Sequence, residues 1–126
     1  VAGERPTGEA RAWQQGRCHC GAVRFEFLLA SWKGVRCNCS YCVRKAALHH
    51  RVPAEHFRLL TGGERLSSYQ FGTGRARHLF CSTCGIHTHC HPRSAPEQIN
   101  ANLHCVDAVQ DARVEVSLHD GRSWAA

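Results

Sequence analysis

At 126 residues and 14.0 kDa the chain fits one domain and leaves no room for a second core of useful size. Sixteen Lys and Arg against ten Asp and Glu give a formal charge of +6, but the basic residues are scattered, and no basic helix or aromatic stacking motif accompanies them, so nucleic acid is not an expected partner. No apolar stretch approaches the roughly 20 residues that span a bilayer and no signal-like start is present, so no membrane contact and a cytoplasmic location are expected.

The first fifteen residues, "VAGERPTGEARAWQQ", are polar and without periodicity. They predict an N-terminal tail over 1–15, with Trp13 packing on the edge of a single domain over 16–126. From Gly16 onward short β-rich runs dominate. "AVRFEFLL" (22–29) alternates Val23, Phe25 and Phe27 with Arg24 and Glu26, the period of a half-buried strand. The runs at 57–63, 66–72, 76–81, 86–91, 99–105 and 113–118 read likewise, with Gly62-Gly63 and Gly72-Thr73-Gly74 as hairpin turns. Helix is confined to a turn or two in "SYCVRKAA" and a single turn from Pro53. The predicted fold class is all-β, a small metal-stabilised domain of antiparallel sheets with very little helix.

Nine cysteines are an odd number, and seven fall in three clusters: Cys18 and Cys20; Cys37, Cys39 and Cys42; Cys81 and Cys84. Cysteines two or three residues apart are badly placed to bridge one another but well placed to ligate one cation, so thiolates in a reducing compartment are expected rather than disulfides. Gly21 follows Cys20 and Gly85 follows Cys84, where a glycine lets backbone amides turn toward the sulfurs, whereas Cys42 is followed by Val43. That asymmetry groups Cys18, Cys20, Cys81 and Cys84 as a closed tetrahedral zinc site. Cys37, Cys39 and Cys42 remain to hold a second zinc. The triplet is either a second structural site, completed by Cys90, Cys105, His49, His50 or His104, or an open site whose fourth position takes water or substrate. Three thiolates make a poor Lewis acid for water, so a soft fourth ligand, a substrate thiolate, suits the set better.

These segments, "GRCHCGAVRFEF", "CNCSYCVRK", "FCSTCGIHTHCHPRSAP" and "NLHCVD", together resemble the glutathione-dependent formaldehyde-activating enzyme family, which includes centromere protein V, and the likeness is closer to the centromere protein V branch. The resemblance runs from about Gly16 to Asp107. It implies a β-tent fold carrying two zinc ions per chain. It also implies structural ligands at Cys18, Cys20, Cys81 and Cys84, and active-site ligands at Cys37, Cys39 and Cys42. The implied activity is that of a carbon–sulfur lyase, working in reverse on glutathione and formaldehyde to give S-hydroxymethylglutathione. A small thiol such as glutathione is then the expected partner; the competing expectation is a non-catalytic, zinc-stabilised module that binds protein or nucleic acid.

Three other features bear on the site. His87, His89 and His91 alternate along "IHTHCH" and would share one strand face, as a solvated or substrate-facing row. Arg93, in a turn between Pro92 and Pro96, offers a fork for a carboxylate of a peptide-like thiol. Cys90 and Cys105 read as small buried hydrophobes.

Overall fold

The computed structural model describes residues 12–123. Ten strands form two sheets: β1 (Ala12–Arg17), β2 (Arg24–Leu29), β3 (Lys33–Cys37), β4 (His49–Pro53), β5 (Phe57–Thr61), β6 (Leu66–Tyr69), β7 (Arg77–Cys81), β8 (His87–His91), β9 (Gln98–Asn102) and β10 (Glu115–His119). The α-helix among the described residues, α1 (Cys42–Lys45), is a single turn, and short 3-10 turns fill several connections. The smaller sheet has the order β1-β2-β5 and the larger β10-β3-β4-β9-β8-β7-β6. The all-β expectation holds, with one difference: β10 runs parallel to β3, from Glu115 opposite Lys33 to His119 opposite Cys37. A parallel pair needs a long crossover, and here most of the chain lies between the two strands.

The core lies where the alternation placed it. Phe25, Phe27 and Leu29 of β2 are buried and meet Leu48, Val52, Ile99, Ala101 and Leu103 from the larger sheet and its connections. Each such side chain contributes about 1.5–3 kcal/mol by leaving water. A satellite cluster of Cys18, Val23 and Cys81, flanked by Leu66 and Cys84, lies where the first cysteine pair meets the last.

Two expectations need correction. Residues 12–15 of the expected tail belong to β1, which pairs antiparallel with β2 along its length, while residues 1–11 lie outside the described residues. Trp13 on that strand lies under the Arg58 guanidinium, 4.2 Å from its ring centre. The glycine pair at 62–63 is not a hairpin turn. It carries the chain from β5 in the smaller sheet to β6 in the larger, with Gly62 at φ 86°, while residues 72–74 do join the antiparallel pair β6–β7.

Candidate functional site

Cys18 ends the β1 side of its hairpin and Cys20 lies in the turn before β2; Cys81 ends β7 and Cys84 lies in the turn before β8. The four sulfurs lie within 4.8 Å of one another, with Cys18 to Cys20 at 3.7 Å and Cys20 to Cys81 at 3.8 Å. Four sulfurs about 2.3 Å from one tetrahedral zinc would be about 3.8 Å apart, so the donor set fits that ion. Gly21 and Gly85 have φ of 83° and 84°, the left-handed conformation a glycine adopts without steric cost. Amides then turn to sulfur: Val23 N–H donates to Cys18 Sγ at 3.3 Å and Thr83 N–H to Cys81 Sγ at 3.4 Å. An ion here would clamp the β1–β2 turn of one sheet to the β7–β8 turn of the other.

The triplet is built on a different frame. Cys37 ends β3, Cys39 lies in the following loop, and Cys42 opens α1, where its N–H donates to Cys39 Sγ at 3.3 Å. The three sulfurs also lie within 4.8 Å of one another. The hydrogen bond with Cys42 pulls the Cys37 thiol down to about 5, and the same bond, with burial, raises Cys42. That is a set of sulfurs arranged for a cation, and three soft thiolates fit zinc. The segment after β10 walls the site. Asn38 N–H donates to the His119 carbonyl, the Asn38 amide donates to Asp120 Oδ1 at 3.1 Å, and Arg122 N–H donates to Asn38 Oδ1 at 2.9 Å.

The candidate fourth ligands are distributed unevenly. His49 Nε2 lies 3.6 Å from Cys42 Sγ, yet His49 groups with His87 and Cys90 rather than with all three sulfurs of the triplet. His50 turns to the opposite face, with Nδ1 donating to the Lys33 carbonyl and the ring near Phe27. Cys105 is buried in the core and donates to the His87 carbonyl at 3.3 Å, and His104 is exposed.

The histidine row does not share a face. A register shift between Leu79 and Phe80 opposite β8 is a bulge, and a bulge breaks strict alternation. His89 packs on Phe25 and Phe57 in the core, whereas the His87 ring faces His49 and His78 on the other side of the sheet. Both rings are buried, so neither is part of a solvated row. Cys90 is buried as expected but lies among ligating side chains, with His49 and His87.

The side of the larger sheet away from the core opens into a pocket of about 630 Å³. Cys37, Cys39 and Cys42 line one end, and His49, His78 and Cys90 line the sheet face. Arg93 lines the same pocket, together with Arg51 and Arg122, and no Asp or Glu lines it among the described residues. Arg51 is fixed by donating to Asn100 Oδ1 at 3.1 Å and to Ser94 Oγ at 3.2 Å, so it anchors the turn that carries Arg93. Beneath the pocket Lys45 Nζ donates to His78 Nδ1 at 2.9 Å, contacts His87 Nε2 at 3.3 Å, and lies 4.5 Å from the Tyr41 ring centre. Burial, reinforced by Lys45, pushes His49 down to about 4 and His78 to about 3, so both are neutral near pH 7. Burial lowers Lys45 as well.

Sequence reasoning missed Lys45, Gly121 and the His49, His87 and Cys90 grouping. Asn102 acquires a structural role: its side chain accepts from the Leu48 and His104 amides and donates to the His87 carbonyl, tying β9 to the site.

The family model for the glutathione-dependent formaldehyde-activating enzyme matches residues 13–120, which takes in both cysteine sites and all ten strands except the first residue of β1. The chain belongs to the glutathione-dependent formaldehyde-activating enzyme family. A crystal structure of a Rhodobacter sphaeroides protein is similar at 38% identity and a TM-score of 0.73, over 82% of this chain and 99% of that one. Membership of the formaldehyde-activating enzyme family supports an enzyme that works with glutathione, and the cysteine and histidine clusters are compatible with metal binding. No helix among the described residues is long and apolar enough to cross a membrane.

Proposed function

We propose that the protein is a zinc-dependent carbon–sulfur lyase-type enzyme that joins a small anionic thiol, glutathione or a close analogue, to a small aldehyde and catalyses the reverse cleavage. The observation that carries this reading is the position of the triplet: three thiolates at one end of a pocket whose wall carries Arg51, Arg93 and Arg122 and no carboxylate among the described residues. Zinc held by Cys37, Cys39 and Cys42 would supply a soft fourth position and lower the pKa of an incoming thiol, so that it enters as thiolate.

The chain's own residues do the rest. Glutathione carries two carboxylates, and arginine forks bind carboxylates in fixed orientation, so Arg93 and Arg51 would hold the peptide while its sulfur points to the triplet. The substrate sulfur donates an electron pair to the aldehyde carbon, the C=O π pair moves to oxygen, and the oxygen takes a proton from water entering the open pocket. The proton lost by the thiol goes to solvent, so atoms and charge balance. His49 and His78 line the pocket and are neutral at pH 7.

The test is exchange of isotope-labelled formaldehyde with glutathione, followed by NMR. Exchange above the uncatalysed background, lost in Cys42→Ser, supports the reading. Exchange no faster than background in zinc-loaded protein overturns it.

A further inference from the structure

The geometry points to a third metal site, distinct in donor chemistry from both cysteine sites, formed by His49, His87 and Cys90 and taking a divalent ion of the zinc, cobalt or nickel type. It goes beyond the proposed reaction and does not depend on it.

One ring nitrogen each from His49 and His87 and the sulfur of Cys90 lie within 4.8 Å of one another, all three residues buried. An ion with nitrogen at about 2.0 Å and sulfur at about 2.3 Å would draw such donors to roughly 3.5 Å apart, a rotamer adjustment away. The register of the sheet explains the convergence. His49 of β4 is opposite Asn102 of β9, and Cys90 of β8 is opposite Asn100; the bulge beside β8 then turns His87 to the same side as Cys90, three residues away.

Buried histidines alone are commonly structural, with both ring nitrogens satisfied. These two are not. His49 Nδ1 and His87 Nδ1 are both buried without a hydrogen-bond partner among the described residues, in side chains only 5% and 7% exposed. Buried and unpaired, such atoms are costly, and the two rings that carry them converge on one buried thiol. A mixed nitrogen and sulfur set selects borderline divalent metals over calcium or magnesium, which take oxygen. Two cations act on the cluster, Lys45, 3.3 Å from His87 Nε2, and Arg51; an ion binds with loss of the Cys90 proton, which offsets part of that charge. His49 and Cys90 line the same pocket as the triplet, so a bound ion would be open to ligands from that side.

The test counts ions. Native mass spectrometry of the full chain saturated with zinc is expected to give three ions, falling to two in Cys90→Ser and in His87→Ala. Because a variant can fail to fold, the unsubstituted chain is also loaded with three equivalents of cadmium-113. A resonance upfield of the all-sulfur signals, in the range of mixed nitrogen and sulfur ligation, is expected. Saturation at two ions in the parent chain, or all-sulfur cadmium signals only, overturns the site. Neither readout needs turnover, so failure of this proposal leaves the proposed reaction standing, and the reverse holds.

Discussion

The α-carbon of Gly121 lies against the sulfur of Cys37: a Cβ at position 121 would stand 2.5 Å from that sulfur and 3.2 Å from the Cys39 Cβ. The chain after β10 therefore forms part of the triplet's wall, more than eighty residues along the sequence from Cys37 and Cys39. In Gly121→Ala the new methyl must displace either Cys37 or the Asn38 contacts. The expected result is a weakened second zinc, with at least a tenfold faster loss to a chelator, while the first zinc is retained. Metal analysis after graded chelation checks it; equal retention of both ions in the variant counts against the wall.

The first cysteine site joins the two sheets through the turns at Cys18–Cys20 and Cys81–Cys84, beside a satellite core of only Cys18 and Val23 with Cys81. Removing one thiolate leaves three sulfurs and only this small cluster to hold the two turns together, outside the main core that joins the sheets. Cys81→Ala is expected to cost on the order of 3 kcal/mol or more, a fall in Tm of roughly 10 °C or more. Cys42→Ser, at the pocket, is expected to lower Tm far less. Calorimetry of the two zinc-loaded variants compares them.

How much of this was legible beforehand depends on which face of each strand is apolar. The run into β2 announces itself because Val23, Phe25 and Phe27 alternate with Arg24 and Glu26 and all three are buried. β1 and β4 do not: β1 is a polar edge strand, and β4 buries His49 on its pocket side, so neither shows an apolar alternation. The cysteine spacing made two candidate ligand sets visible, since the C-x-C and C-x-x-C patterns are local. The convergence of His49, His87 and Cys90 is not local. It follows from β9 lying between β4 and β8 and from a bulge, and neither has a signature in the residues themselves.

Arg93 lines the pocket, and Arg51 holds its turn through Ser94. A charge-assisted contact to a substrate carboxylate contributes about 1.5–3 kcal/mol, so Arg93→Ala is expected to raise KM for glutathione about tenfold or more with kcat little changed. A thiol without carboxylates, such as cysteamine, should lose much less. Steady-state kinetics with the two thiols checks the difference; equal losses would assign Arg93 to packing.

Acid should weaken the fold through buried imidazoles. His89, packed against Phe25 and Phe57, is depressed from 6.5 to about 3 by burial, then by His91 and Arg77. The unfolded chain takes up a proton on this residue below about pH 6.5 while the folded chain does not. Stability from His89 is therefore fully present above pH 6.5 and falls as pH drops toward 3, by up to about 1.4 kcal/mol per pH unit. Urea unfolding between pH 7 and 4.5 is expected to show a steeper loss in the parent chain than in His89→Phe, and parallel curves would contradict this.

The central claim is that the Cys37, Cys39 and Cys42 site takes a substrate sulfur as its fourth ligand. Cobalt(II) substituted for zinc reports sulfur ligation directly, through thiolate-to-cobalt charge-transfer absorption. Titration of the cobalt-loaded protein with glutathione is expected to add charge-transfer intensity, saturating at one thiol per chain and absent in Cys42→Ser. A spectrum that glutathione leaves unchanged at concentrations well above a millimolar would contradict the account.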